Sequence, residues 1–272
     1  MVDDSHASPT HDRYTHGHHE SVLRSHRWRT AANSAQFLLP HLRPGLRLLD
    51  VGCGPGTITA DLAGCVGDGT VVGIDRSPTM IATVRAEYRA ANLTFCVGDA
   101  YDLQFADDTF DVVYAHQVLQ HLSDPVAALR ELRRVTRPGG IVAVRDSDYA
   151  AFAWAPRDPT LDRWMTLYHD LTRHNRAEAD AGRFLKAWAL DAGFTDVRAS
   201  SSTWTFHDPD DRAWWGGTWS ERALHSEFAT QALQAGLTDP DELHEISAAF
   251  LRWAADPRGI FVLVHGEVLA VA

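Results

Sequence analysis

Residues 48–57, LLDVGCGPGT, constrain the fold of this chain more than any other stretch. Short apolar residues run into a glycine cluster, and helix-compatible residues follow, which is typical of a buried strand, a tight turn and a helix. Gly52, Gly54 and Gly56 lack a Cβ, so the backbone can adopt positive φ and a ligand can approach the peptide amides closely. The turn predicts a site for a nucleotide-like ligand, although glycine clusters also form plain turns.

The spacing of the glycines narrows the type of ligand. The turn has the form Gly-x-Gly-x-Gly, whereas the dinucleotide fingerprint is Gly-x-Gly-x-x-Gly with its last glycine inside the helix. Thr57 stands at the position of that last glycine. The difference favours a nucleoside without a pyrophosphate.

Two later strands also end in carboxylates. Asp75 ends an apolar run at 70–75, where it can accept hydrogen bonds from both hydroxyls of a ribose or, alternatively, cap the next helix. Asp99 follows a strand predicted at 93–97 and can accept a hydrogen bond from an exocyclic amine such as that of adenine.

The alternation of strands and helices predicts right-handed parallel crossovers. We expect an α/β fold with a Rossmann-like, seven-stranded, mostly parallel sheet, helices on both faces and an antiparallel last strand. The remaining strands are predicted at 110–115, 141–145, about 195–206 and 260–264, and helices at 57–63, 80–91, 125–135, 183–192 and 239–253. Residues 18–272 form one domain in this prediction, with helical insertions at 150–180 and 207–256 and a cofactor-binding core at 46–148.

The N-terminal region is predicted to be a flexible tail over residues 1–17, followed by a helix at 21–39. Such a helix can pack as an ordinary element, or it can cover a bound ligand as a lid. Side chains that would touch the ligand in the second case are Tyr14, Arg24, His26, Trp28 and Arg29. His16, His18 and His19 lack helical i, i+4 spacing, so we expect no metal site there.

Composition excludes several classes of partner. The formal net charge is −11 and there is no basic run, which argues against a nucleic-acid partner. We expect no membrane span, because there is no apolar segment of about 18 residues, and a cytoplasmic protein, because the N-terminus does not resemble a signal sequence. Monomer and homodimer both remain open.

The ordered motifs together resemble the class I S-adenosylmethionine-dependent methyltransferases, in particular the ubiquinone and menaquinone biosynthesis branch. The resemblance covers about 46–148 and includes the glycine turn, GID at 73–75, GDA at 98–100, FDVV at 110–113, VLQHL at 118–122 and RVTRPGG at 134–140. It implies S-adenosyl-L-methionine as the cofactor. The cofactor-binding candidates are Asp50, Gly52, Gly54, Gly56, Thr57, Asp75, Arg76, Met80, Gly98, Asp99, Ala100 and Gln117.

The resemblance implies that the glycines approach the methionine moiety, that Asp75 binds the ribose, that Asp99 and Ala100 meet the adenine, and that Gln117 lies near the sulfonium. Gln120 stands where the branch often has a histidine, so the resemblance does not support a catalytic role for His121.

The acceptor is predicted to be small and at least partly apolar or aromatic, and methylated on carbon, oxygen or nitrogen. General-base candidates are His116, His121 and Asp146, with His174 and His207 as further candidates. The tentative acceptor-binding residues are Tyr149, Trp154, Trp164, His174, Trp214 and Trp215, for which aromatic packing between helices is an equal alternative.

Three other functions stay open at this point. A non-catalytic S-adenosylmethionine-binding partner or sensor would keep the cofactor motifs without turnover. A peptide or protein methyltransferase would need an open acidic groove. A nicotinamide-dependent oxidoreductase is disfavoured by the missing last glycine of the dinucleotide fingerprint.

Overall fold

The computed structural model describes residues 12–15, 17 and 19–272. Most of the predicted tail, together with His16 and His18, lies outside these residues. His19 is described, and its side chain accepts a hydrogen bond from the Ser21 backbone N–H at the start of the first helix.

One mixed sheet forms the centre of the protein. Its strands are β1 (Arg47–Val51), β2 (Thr70–Asp75), β3 (Leu93–Val97), β4 (Phe110–His116), β5 (Thr136–Ser147), β6 (Ala153–Ala155), β7 (Asp196–Phe206) and β8 (Ile260–Val271). The order begins β3-β2-β1-β4-β5-β8, and β7 pairs with β8 along its far edge. β1 to β5 are parallel, whereas β8 is antiparallel to its neighbours, so the predicted fold class is confirmed.

The helices are α1 (Glu20–Arg27), α2 (Ala31–Ser34), α3 (Thr57–Cys65), α4 (Pro78–Glu87), α5 (Pro125–Val135), α6 (Pro159–His174), α7 (Ala181–Asp191), α8 (Pro209–His225), α9 (Glu227–Gln234) and α10 (Pro240–Ala255). Among them, α4, α5, α6 and α10 begin at a proline preceded by a side chain that accepts a backbone N–H of the first turn. Proline at the first helical position needs no N–H partner, so these starts are locally encoded. Within residues 12–15, 17 and 19–272, none of the helices combines the length and the apolar stretch that a membrane span requires.

The N-terminal helix differs from its prediction. The single helix expected at 21–39 is split into α1 and α2, followed by a short 3₁₀ turn at 39–41. Thr30 and Asn33 form a capping box that starts α2 after a break, and this local hydrogen bonding overrides the continuous apolar pattern.

The sheet is also larger than predicted. β6 is an eighth strand, which pairs with residues 260–262 of β8 beyond the end of β5. β8 is twelve residues long rather than five, because it pairs with β7 along almost all of its length.

The two insertions pack together on one side of the sheet. α6, α8, α9 and α10 share an aromatic core that includes Trp164, Trp219 and Phe250. The helix predicted at 239–253 is α10, which packs mainly along α8 and α6, and Trp253 extends from it to Phe261 of β8.

Candidate functional site

A cavity of about 440 Å³ opens at the carboxyl ends of β1, β2 and β4. Because these strands are parallel and adjacent, the residues that follow each of them meet at one edge of the sheet. The cavity is lined by the glycine turn, by the acids after β2 and β3, by residues after β4, and by part of the N-terminal segment.

The three glycines of the turn have different roles. All adopt positive φ, +73° at Gly52, +50° at Gly54 and +78° at Gly56. A Cβ on Gly52 would lie 2.4 Å from Val118 Cγ2, whereas one on Gly54 would have no atom within 4 Å. Gly56 does not line the cavity; a Cβ there would approach Phe95 at 3.1 Å. Only Gly52 and Gly54 therefore face the space in which a ligand can lie.

Asp75 connects the end of β2 to the glycine turn. One carboxylate oxygen accepts the Gly54 N–H at 3.1 Å and the other accepts the Ser77 N–H at 2.9 Å. A carboxylate has about four acceptor positions, so Asp75 can also accept hydrogen bonds from a ligand in the cavity. It thus both orients the turn and faces the cavity.

The adjoining wall is formed by Arg76, Met80 and residues 98–101. Asp99 accepts the Tyr101 N–H at 3.0 Å, and the Tyr101 hydroxyl accepts the Asp124 N–H at 3.1 Å. These bonds fix the loop after β3 so that an apolar ring and a carboxylate lie beside one another.

Asp50 lies beneath the turn and is buried. It accepts a 2.6 Å hydrogen bond from the Thr59 hydroxyl, which ties the end of β1 to α3. Burial raises the pKa of Asp50 to about 7, although the bond from Thr59 opposes the shift. Thr57 lies at the rim of the same end of the cavity.

The N-terminal segment covers the cavity through Asp12, Tyr14, His26 and Arg29. Asp12 accepts hydrogen bonds from Arg76 Nη1 at 2.9 Å and from the Ser123 N–H at 3.1 Å. The lid interpretation therefore fits three of the five side chains considered for it. The other two do not line the cavity: Arg24 pairs with Glu221, and Trp28 packs on Trp204, Phe206 and Trp214.

Gln117 lies where the cavity meets the sheet. Its φ is +54°, and its backbone N–H donates to the Arg145 carbonyl at 2.7 Å. Its side-chain oxygen accepts Arg29 Nη2 at 2.5 Å, and its amide nitrogen donates to Ser147 Oγ at 2.8 Å. Positive φ is uncommon for a residue other than glycine. This network of bonds holds the Gln117 backbone in that conformation.

Beyond Gln117, four buried polar residues form what we name the polar row: His116, Arg145, His265 and Glu267. The strand register places His116 beside Arg145, and Arg145 beside Glu267. Arg145 Nε is 3.3 Å from Glu267 Oε1 and 3.1 Å from Ser202 Oγ. Of these four residues, the sequence predicts only His116 as a site residue. Arg145 directly follows the apolar run 141–144, and Glu267 is a charge within the largely apolar strand β8.

Burial and the neighbouring Arg145 lower the pKa of His116 well below its ordinary value, and burial does the same for His265. Both imidazoles are therefore neutral at pH 7. Burial also lowers the pKa of Arg145 to about 10, which still leaves the guanidinium charged at pH 7.

The comparisons with known proteins decide the family. A family described as a methyltransferase domain matches residues 49–144. An uncharacterized methyltransferase of Schizosaccharomyces pombe is 34% identical over 267 residues, which cover 94% of this chain and 95% of that protein. This chain belongs to the methyltransferases.

Two further likenesses agree with this assignment. The demethylmenaquinone methyltransferase of Beutenbergia cavernae is 44% identical over 115 residues, 42% of this chain and 45% of that protein. The fold matches Haemonchus contortus phosphoethanolamine N-methyltransferase 2 in complex with S-adenosyl-L-methionine, with a TM-score of 0.55 at 18% identity over 92% of this chain and 56% of that one. The predicted resemblance is confirmed, and the enzyme is an S-adenosylmethionine-dependent methyltransferase.

The general-base candidates of the methyltransferase separate into two groups. His116 and His121 line the cavity, whereas Asp146 does not. Asp146 points to the opposite face of β5 from Arg145 and accepts the Gln120 N–H at 3.1 Å. Burial raises its pKa to about 7. Its position indicates that it supports the turn at 118–120.

None of the six tentative acceptor-binding residues lines the cavity of the methyltransferase. Tyr149, Trp164 and Trp215 belong to the aromatic core of the insertions, and Trp154 and Trp214 pack against it. His174 is exposed at the end of α6, and His207 is exposed beside Asp208. Four amphipathic helices need a large shared core, so the packing alternative explains these aromatic residues better.

Proposed function

We propose that the methyltransferase binds S-adenosylmethionine with its ribose at Asp75, its adenine beside Asp99 and Ala100, and its methionine end at Gly52 and Gly54. The supporting observation is that these residues, at the carboxyl ends of β1, β2 and β3, line one cavity together with Gln117 and His116 at the end of the next strand, β4. The open space at Gly54 and the spare acceptor positions of Asp75 fit such a ligand.

S-adenosylmethionine supplies an electrophilic methyl group on a sulfonium, which an in-line nucleophile can attack. The charge is dispersed in such a transfer, so the protein contributes mainly by positioning the reactants and excluding water. Tyr14 and Arg29 close the cavity above Gln117, which serves that second purpose.

We propose a small acceptor, because it would share a cavity of about 440 Å³ with the cofactor, and Tyr14, His26 and Arg29 of the N-terminal segment line that cavity. Its apolar part would contact Tyr14, Val118 and Leu122, which line the cavity near Gln117. Because burial and Arg145 lower its pKa, the His116 imidazole is neutral. It can therefore donate a hydrogen bond to the methyl acceptor or accept one from it. A base is needed only if the acceptor nucleophile is protonated.

Release of S-adenosylhomocysteine with a panel of small acceptors tests this function. Turnover with at least one acceptor is expected, and cofactor binding without turnover across the panel would favour a sensor instead.

The Asp75 assignment is tested by calorimetry with S-adenosylhomocysteine and its 2′-deoxy analogue. Asp75→Ala is expected to weaken binding of the first by about 10- to 100-fold, since hydrogen bonds to charged groups contribute about 1.5–3 kcal/mol. The variant should weaken the 2′-deoxy analogue less, because one of the ribose bonds is already missing. Asp68→Ala, which removes an exposed carboxylate at the opposite end of β2, serves as the control. Equal losses for both ligands would contradict a ribose contact.

A further inference from the structure

The polar row contains buried groups that the protein itself does not satisfy. Neither ring nitrogen of His116 has a hydrogen-bond partner within the described ranges, and the same holds there for Nη1 and Nη2 of Arg145. His116 is 6% exposed and Arg145 is 1% exposed. Buried polar groups are nearly always paired, so these atoms indicate a ligand with complementary groups.

His116 connects the polar row to the cavity. It lines the cavity next to Gln117, and Arg145 is its register partner on β5. The Trp204 ring lies beside both side chains, 5.8 Å from the His116 ring and 4.7 Å from the Arg145 guanidinium carbon. A ligand group that passes Gln117 therefore meets His116 first, with Arg145 on the adjacent strand.

The charge around His116 is positive. The charged guanidinium groups of Arg145 and Arg29 both act on its imidazole. Glu267 is the carboxylate of the row, and its oxygens already accept hydrogen bonds from Ser200, Ser202 and Arg145 Nε. The unpaired donors of Arg145 therefore face an environment that favours an anion.

We propose that His116 and Arg145 recognise an anionic oxygen of the methyl acceptor, such as that of a carboxylate, phenolate or enolate. This inference rests on the proposed function, since it places the acceptor next to the reactive end of the cofactor. His116, which lines the cavity, contacts the anionic oxygen, and Arg145 on the neighbouring strand supplies the positive charge and the two Nη donors that the described residues leave unpaired. Arg29, which lines the cavity and is bonded to Gln117, adds a second positive charge.

The probes are benzoate and benzamide, 4-hydroxybenzoate and 4-hydroxybenzamide, and 4-nitrophenolate and 4-nitroanisole, titrated by calorimetry into protein saturated with S-adenosylhomocysteine. We expect the anionic member of at least one pair to bind about tenfold tighter or more. The carboxylate pairs and the phenolate pair show which anion the site takes. Absence of a preference in every pair, including absence of binding, would overturn the proposal.

Arg145→Gln is expected to abolish the preference for the anionic member of each probe pair. The affinity for S-adenosylhomocysteine should change by less than about twofold. Because this variant leaves Glu267 without its cation, the double variant Arg145→Gln with Glu267→Gln repeats the test with both charges removed. Arg130→Gln, an exposed arginine on α5, is the matched control and should keep the preference. A preference that survives in the folded double variant would overturn the role of Arg145.

His116→Phe keeps a flat ring of similar size and removes both nitrogens, and it should lower the preference as well. Methyl transfer to neutral acceptors with no preference for anions would leave the proposed function standing and refute this inference. If the wild-type protein does not bind S-adenosylhomocysteine, the proposed function itself is refuted.

Discussion

The two ends of the cavity are built in different ways. At the proposed cofactor end, the carboxylates that follow β2 and β3 accept N–H groups two residues further along the chain, as Asp75 does from Ser77 and Asp99 from Tyr101, and Asp75 also accepts the Gly54 N–H across 21 residues. In the polar row, Arg145 pairs with Glu267, and Gln117 reaches His265, across more than 100 residues. The first end is therefore encoded in short motifs, whereas the second exists only once the strands pair in the correct register.

The aromatic core of the insertions is built differently from both parts of the cavity. It carries much of the aromatic content of the chain, and its composition resembles that of a pocket for flat molecules. In the structure its rings pack on one another, as Trp164 does on Trp219 at 4.6 Å between ring centroids. The polar row, beside which we propose that the acceptor binds, instead consists of polar side chains on the face of the sheet.

The largest effect is expected from removing a core ring. Trp164→Ala should lower the free energy of unfolding by about 3–5 kcal/mol, because it opens a cavity among fully buried rings. The preference for anionic probes should not change. Trp204→Ala removes a ring that lies beside Arg145. It should lower both the free energy of unfolding and the preference for anionic probes. Urea denaturation and probe titration measure the two quantities; a Trp164 variant with altered preference would place the insertions in the acceptor site.

Gly52→Ala tests the proposed cofactor end. It should lower the free energy of unfolding by about 2–5 kcal/mol. Positive φ costs an L-residue about 1–2 kcal/mol, and overlap with Val118 adds about 1–3 kcal/mol. We expect S-adenosylhomocysteine affinity to fall by tenfold or more, about 1.4 kcal/mol or above, as measured by calorimetry. The control is Gly236→Ala: Gly236 also has a positive φ, +66°, and a Cβ there would have open space around it. This variant should leave the affinity for S-adenosylhomocysteine unchanged. Equal affinity losses would show that backbone strain alone is responsible.

The smallest effect is a pH dependence of opposite sign at the two ends. His116 has a folded-state pKa below its unfolded value, so its contribution to stability is present above about pH 6.5 and is lost as the pH falls. Asp50 has a folded-state pKa of about 7, above its unfolded value, so its contribution is lost as the pH rises through 7. Each group contributes at most about 1.4 kcal/mol per pH unit.

The comparison to make is the wild-type protein against His116→Phe and against Asp50→Asn, by urea denaturation at pH 5 to 8. Acidification should reduce the stability advantage of the wild type over the first variant and increase its advantage over the second. Slopes of the same sign would contradict the assignment of neutral and charged forms.

Much of the fold and half of the site could be predicted from sequence. The glycine turn, Asp75 and Asp99 stand directly after apolar runs, so periodicity located them. Gly56 was less predictable, because its spacing matches Gly52 and Gly54 although it packs on Phe95. Arg145 and Glu267 could not be placed together, since which charges neighbour one another depends on the pairing of β5 with β8.

A crystal structure of the protein with S-adenosylhomocysteine tests the proposed cofactor and acceptor positions most directly. We expect the ribose hydroxyls at Asp75, the adenine beside Asp99, and the sulfur facing Gln117 and His116 next to the polar row. A sulfur directed away from His116, or an adenine in the space beside Gln117, would contradict the assignment of the two ends.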